Sequence, residues 1–242
     1  MTAVPPGVES VSELVELGFL AYTTTRAFGS LGTATSEPVR DVMSRWRTIL
    51  DHLEARAVPR LATSAQVHGA RVLIHGGDWA GWLRGPAADG HVCAAGACTA
   101  VAVTVADCVP VFLAHRSGAV GLLHSGWRGT EARIVLAGID AMEALGYEAA
   151  DLILHLGPAI CGRCYEVSPD VYRRLTGRTV AHPTPVDLRA LIASHAADRG
   201  VRRISVSSAC TRCDNDRFYS HRAGDAGRQI SLIAPPPARL TR

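Results

Sequence analysis

A single domain of interleaved strands and helices, α/β or α+β, is what this chain predicts, and three observations predict it. Its 242 residues are enough to bury one substantial core. Short runs rich in Val, Thr, Ile and Leu recur along it, the nearly chargeless segment 99–105 being the clearest. Between those runs lie longer segments whose apolar residues recur at helical spacing. No fixed-period repeat or low-complexity segment interrupts the pattern.

Taken in order, residues 18–25 read as a strand and 36–56 as a helix. That helix is expected to bury Val39, Met43, Trp46, Leu50 and Leu53, with Ser36 as N-cap and Pro38 in its first turn. Segment 61–69 reads as a strand ending in the turn Gln66-Val67-His68-Gly69, and 71–75 as a further strand, while 76–78 and 85–90 carry loop signals. Segment 119–123 repeats the buried-strand character of 99–105, and both deliver their last residues into polar loops. Residues 130–145 read as one helix that buries Ile134, Leu136, Ile139, Met142 and Leu145 and is stopped by Gly146. A short buried strand, 152–156, ends at Gly157-Pro158. Helices over 168–175 and 187–199 follow, the second with Leu188, Leu191, Ile192 and His195 at helical spacing. Then come a strand-like 203–207 and a tail marked by Pro235-Pro236-Pro237.

Composition removes several function classes. The net charge of +3 is spread along the chain without a basic run, so the footprint of a nucleic-acid binder is missing. All 25 basic residues are arginine. A Schiff-base lysine and a phosphate loop that relies on its lysine are therefore excluded, and phosphate would be held by arginine, backbone N–H groups or a metal. Residues 1–10 show no secretory pattern, and the longest apolar run, 99–114, carries Asp107 and Pro110 and is too short to span a bilayer. A soluble cytoplasmic protein is expected, in which the seven cysteines stand as thiols or metal ligands rather than a disulfide framework.

The chemistry gathers at Thr104-Val105-Ala106-Asp107-Cys108-Val109-Pro110-Val111 and at His124-Ser125-Gly126-Trp127-Arg128-Gly129-Thr130. A thiol and an imidazole, each released from an apolar run, suit either a metal site or a nucleophile pair with Cys108 attacking and His124 as base. Asp107 suits proton transfer or the orientation of a ligand. The 126–130 join, with its two glycines and Arg128, has the makings of an anion cradle. Cys161-Gly162-Arg163-Cys164 and Cys210-Thr211-Arg212-Cys213 are two CxxC pairs, set further apart than in a zinc ribbon. Unpaired thiols are the expectation there, with a structural metal or a reversible disulfide as the alternatives.

Three motifs in this order, Gln66-Val67-His68-Gly69, Thr104 to Val111 and His124 to Thr130, resemble the laccase-domain family. Its members are also called multicopper polyphenol oxidases, purine nucleoside phosphorylases or peptidoglycan editing factors. Ala88-Asp89-Gly90, Leu156-Gly157-Pro158-Ala159-Ile160, Tyr165-Glu166-Val167, Cys210-Thr211, Phe218-Tyr219-Ser220-His221-Arg222 and Ala226-Gly227-Arg228 extend the resemblance over about 18–233, leaving 234–242 as tail. The resemblance implies an α+β, layered α/β/β/α sandwich with mixed sheets. It also implies zinc on His68, Cys108 and His124 with a fourth position open, the pattern of a catalytic site. It implies phosphorolysis of adenosine, inosine and methylthioadenosine, with adenosine deamination, so a nucleoside and phosphate are the partners. Arg26, Gln66, Arg128, His221 and Arg222 become the expected substrate and phosphate residues. Copper is a possible occupant, since it binds such ligands tightly, yet no His-x-His pair exists among the ten histidines, as a four-copper laccase would need. A Cys-His hydrolase of peptidoglycan-precursor type, a copper-dependent, laccase-like polyphenol oxidase and a non-catalytic partner protein are the competing readings. Segment 27–38 is shorter than in most members and lacks asparagine, so substrate contacts are expected to differ there.

Overall fold

Strand side chains alternate between two faces, and in this chain both faces of the central strands are apolar. The computed structural model, which describes residues 5–33, 35 and 37–237, pairs these strands into two six-stranded sheets. The first runs in the order β1 (Val8–Ser10), β2 (Leu20–Thr24), β14 (Gln229–Ala234), β7 (Thr99–Val105), β3 (Arg60–Ser64) and β5 (Gly81–Gly85). The second runs β13 (Arg203–Val206), β10 (Ile153–Leu156), β8 (Val109–Ala114), β9 (Val120–Ser125), β6 (Gly90–Cys93) and β4 (Val72–His75). A small third sheet joins β11 (Glu166–Val167) to β12 (Thr184–Pro185). Both large sheets are mixed: β3 is parallel to β5 and β7, and β10 to β13, whereas β7 is antiparallel to β14 and β8 to β9.

The helices are α1 (Ser12–Glu16), α2 (Val39–Glu54), α3 (Trp127–Glu131), α4 (Ile134–Ala144), α5 (Pro169–Thr176) and α6 (Leu188–Asp198). Along β7, Val101, Val103 and Val105 face the second sheet, where they meet Phe112, Val120, Leu122 and Ile153. Ala100 and Ala102 face outward, beneath Val42, Trp46, Ile49 and Leu53 of α2. The outer face of the second sheet, with Val109, Val111, Leu113 and Leu154, is covered by Ile134, Ile139 and Met142 of α4 and Ile192 of α6. The result is a four-layer α/β/β/α sandwich, as the resemblance implies. Phe112, fully buried between the sheets, is worth about 3–5 kcal/mol against alanine.

Several local expectations are corrected. α2 buries Val42, Trp46, Ile49 and Leu53, a stripe rotated from the expected one, and leaves Val39 64% and Met43 41% exposed. The cause is tertiary: Trp46 anchors the helix by stacking on Trp82 and donating its indole N–H to the Leu31 carbonyl, which sets the rotation. Ser36 lies outside the described residues, and Pro38 occupies the cap position. The single helix expected over 130–145 is two, α3 and α4, because Arg133 adopts a left-handed φ of 55° between them. Gly146, at φ 88°, does end α4. β1, β5, β6, β8, β14 and α1 were not separately expected. β5 and β6 are short and edged by glycines that read as loop. β14 alternates Ile230 and Leu232 with Ser231, whose hydroxyl bonds Thr23 at 2.7 Å inside the core.

Candidate metal centre and substrate cavity

The two sheets meet at one edge, and strand direction brings the polar loops there. β3 and β7 are parallel, so both end at this edge and release Gln66 to Gly69 and Asp107 to Cys108. β9 ends there with His124 and Ser125, while antiparallel β6 begins there, directly after Asp89. Asp107, at φ 82°, turns the chain from the first sheet into the second and so presents Cys108. His68 is also left-handed, at φ 59°. Non-glycine residues held in that region cost about 1–3 kcal/mol each, a cost characteristic of functional sites.

The donor atoms of His68, Cys108 and His124 all lie within 4.8 Å of one another. The two imidazoles meet edge to face, with ring centroids 4.8 Å apart. Asp89, fully buried, organises the group. Its Oδ1 accepts from the His68 N–H and from His124 Nδ1, both at 2.9 Å, and its Oδ2 from the N–H groups of Val67 at 3.1 Å and Gly69 at 2.8 Å. The same carboxylate thus folds the His68 loop and holds His124 with Nε2 toward the cluster, the carboxylate-histidine arrangement that supports metal ligands. Gly126 is needed for close approach, since a Cβ there would stand 2.9 Å from Cys108 Sγ.

Electrostatics favour a thiolate. Burial would raise the Cys108 thiol, but the His124 and His68 imidazoles outweigh it and bring it down to about 6. Burial would lower His124, but the Cys108 thiolate and the Asp89 carboxylate raise it to about 9. Asp89 stays below the usual carboxylate range: hydrogen bonds from His124, Gly69 and Val67 overcome the opposing effect of burial. One thiolate and two imidazoles, with a carboxylate behind one of them, fit a zinc ion with one position free.

These three residues open into a cavity of 720 Å³, within the size range of small-molecule sites. Trp82, Thr104, Arg84, Arg228, His221 and the Leu31 to Thr33 segment contribute to its wall. The early segment therefore borders the cavity through Leu31 to Thr33.

The other expected residues divide. Gln66 lines the cavity with its amide tied at both ends to Thr104, accepting from the backbone N–H and hydroxyl at 2.7 Å each and donating to the carbonyl at 2.8 Å. Asp107 accepts from the Thr211 hydroxyl at 2.6 Å and the Arg222 N–H at 2.7 Å. Both its oxygens hold loops in place, a positioning arrangement. Arg222 also lies over the Tyr165 ring and donates to the Glu166 carbonyl. Arg128 is exposed and lies over Trp127, and α3 behind it has only five residues, too few for a strong helix-end cradle. Burial raises the Tyr165 hydroxyl to about 12, and the charges of Cys108, Arg222, Asp107 and Arg128 also act on it, so these residues share one neighbourhood. Arg26 is apart from the cavity wall. Its guanidinium pairs with Asp225, donates to the Asn215 and Phe218 carbonyls and stacks on Tyr219.

Asp89, Tyr165, Trp82, Arg84 and Arg228 had no assigned role in the sequence reading. Ala88-Asp89-Gly90 was visible as a motif, but the donors that reveal its purpose come from residues 67–69 and 124. Among the described residues, the cysteine pairs form one other group able to share a metal, Cys161, Cys164, Cys210 and Cys213. Among the described residues, no helix is long and apolar enough to cross a membrane.

Comparison with known proteins is consistent with this geometry. The family model described as multi-copper polyphenol oxidoreductase laccase matches residues 23–235. A Streptomyces griseus protein named purine nucleoside phosphorylase ORF3 is 37% identical over 176 residues, which is 69% of this chain and 71% of that protein. A Pseudomonas aeruginosa protein named purine nucleoside phosphorylase PA4543 is 30% identical over 235 residues, covering 88% and 92%. Among solved structures, YlmD from Geobacillus stearothermophilus aligns with a TM-score of 0.79 at 27% identity, over 90% of this chain and 92% of that one. The Bacillus licheniformis protein YfiH aligns with a TM-score of 0.82 at 24% identity, over 95% and 97%, which shows the shared fold.

Proposed function

The chain belongs to the multi-copper polyphenol oxidoreductase laccase family, and within it we propose that this protein is a zinc-dependent purine nucleoside phosphorylase. Its substrates are adenosine, inosine and S-methyl-5'-thioadenosine, and it deaminates adenosine as a second activity. The observation that carries the reading is the convergence of His68, Cys108 and His124 donor atoms within 4.8 Å at a cavity large enough for a nucleoside. The names of its relatives support the reaction class.

Zinc, which His68, Cys108 and His124 would hold, would supply Lewis acidity toward the bound substrate. The chain's own residues do the rest. The half-buried Trp82 ring, backed by Trp46 at 4.4 Å, offers an aromatic wall for the purine. Arg222, over the Tyr165 ring, and Arg128, whose charge also acts on Tyr165, attract phosphate and hold it for attack on the anomeric carbon. As the C–N bond breaks, the electron pair leaves with the base, and His221 on the cavity wall donates a proton to the purine N7. Gln66 and Asp107 keep the loops in register for this geometry. No disulfide joins the seven cysteines, which suits the reducing cytoplasm we assign it to.

The Cys108–His124 pair also favours a second reading, a cysteine hydrolase, because its thiol is lowered and its imidazole raised. One experiment separates the two. Metal-analysed protein is incubated with each nucleoside, with and without phosphate, and products are resolved by chromatography. Phosphate-dependent release of free base with the corresponding sugar 1-phosphate (ribose 1-phosphate, or 5-methylthioribose 1-phosphate from S-methyl-5'-thioadenosine) supports phosphorolysis, and inosine from adenosine without phosphate supports deamination. Release of neither under any condition would sink the proposal. Rapid alkylation of Cys108 in metal-loaded protein would favour the hydrolase.

A further inference from the structure

The two CxxC motifs are remote in sequence but adjacent in space, because β10 and β13 are parallel neighbours and end at the same edge. A bridge between Ala159 and Cys210 continues that pairing past the strands. The Cys161 to Cys164 turn and the Cys210 to Cys213 turn therefore face each other, and all four sulfurs lie within 4.8 Å of one another, with Cys164 and Cys213 at 3.4 Å. We propose that these four cysteines form a second metal site, a tetrathiolate zinc clip that locks the two turns together.

Three features support it beyond proximity. Two of the four sulfurs already accept from backbone N–H groups: Cys210 Sγ accepts from Cys161 at 3.2 Å and from Cys213 at 3.4 Å, and the N–H groups of Arg163 and Cys164 lie against Cys161 Sγ. Such donors stabilise sulfur that carries negative charge, which a thiol does not require. The third position of each motif is an exposed arginine, Arg163 and Arg212, which offsets the charge of four thiolates. Finally, a zinc–sulfur bond of about 2.3 Å in a tetrahedron sets sulfurs roughly 3.8 Å apart, a separation reachable here by small side-chain rotations. Loading releases the four thiol protons, leaving a dianionic complex beside those arginines.

The clip supports the neighbouring cavity. Tyr165 follows Cys164 and lies under Arg222, and Thr211 follows Cys210 and donates to Asp107. The clip would thus hold both loops against the residues that present Cys108. This inference is independent of the reading of the His68, Cys108 and His124 site.

The test counts metal in full-length protein purified without chelator. Cys108→Ala removes a ligand of the first site, and C164S with C213S removes two ligands of the clip. Elemental analysis is expected to find one zinc retained in the Cys108→Ala protein and one fewer than wild type in the double serine variant. The single variant C213S, at an exposed position, guards against misfolding. Cobalt(II) loaded into the Cys108→Ala protein is expected to show sulfur-to-metal charge transfer and tetrahedral d–d bands. Maleimide should leave the four clip thiols unmodified until zinc is chelated. Absence of metal from the Cys108→Ala protein, with all four thiols alkylated at once or a Cys164–Cys213 disulfide mapped by mass spectrometry, would overturn the proposal.

Discussion

Asp89→Asn tests whether one buried carboxylate builds the candidate metal centre. The native carboxylate accepts four hydrogen bonds, two on each oxygen. An asparagine that keeps its carbonyl toward His68 and His124 turns its NH2 toward the N–H groups of Val67 and Gly69. Two part-buried donors then lose their acceptor, at up to about 1–3 kcal/mol each, or up to about 2–6 kcal/mol together. For a chain of this size each kcal/mol shifts Tm by about 2–4 °C, so a loss on the order of 10 °C is expected. His124 also loses the negative charge that orients its ring and strengthens its donor nitrogen, and removal of such a partner weakens metal binding by about 10–100-fold. The assay is calorimetry with and without zinc, together with zinc competition against a chromophoric chelator. A variant that melts within 1 °C of wild type (about a tenth of the expected loss) and binds zinc with unchanged affinity would refute the reasoning.

Gly126→Ala should displace Cys108 Sγ, 2.9 Å from the new Cβ, and lower zinc affinity at least about tenfold with a small change in Tm; undiminished zinc binding in the same competition assay would contradict the packing argument. Arg26→Ala should lower Tm by several degrees through loss of the Asp225 pair and the Asn215 and Phe218 carbonyl bonds. It should leave the phosphate KM unchanged, so a raised KM in steady-state kinetics would return Arg26 to the substrate site. His91 is fully buried between Ser64 and His75, and burial, then the neighbouring His75, lowers its pKa to about 3. A folded-state value below the unfolded value of about 6.5 means the folded protein binds fewer protons, so stability is full above about pH 6.5 and falls as pH drops toward 3. His91→Gln should reduce the pH slope of unfolding free energy by up to about 1.4 kcal/mol per pH unit between pH 6.5 and 4.5, and an unchanged slope in denaturant titrations would remove His91 from that linkage.

What the sequence by itself determined was local chemistry and local periodicity. The buried run of β7, the helix starts at 168 and 187, where the structure shows Ser168 and Asp187 accepting from Val171 and Ala190, and the stop at Gly146 follow from neighbours a few residues away. So does the motif set that holds His68, Cys108 and His124, through its resemblance to a known family. Tertiary structure decided what depends on partners far along the chain. The buried stripe of α2 was set by Trp82 and Leu31, and the strand identity of β14 by its pairing with β2 and β7. Arg26 became an internal clamp because the 215–225 loop folds around it. Asp89 became the organiser of the candidate metal centre because β3, β6 and β9 deliver its donors to one edge. The two CxxC motifs became one cluster because parallel strands end side by side. Chain spacing carries no information about such meetings, since hydrogen bonds and metal–ligand contacts act over a few ångströms of space, whatever the length of chain between the partners.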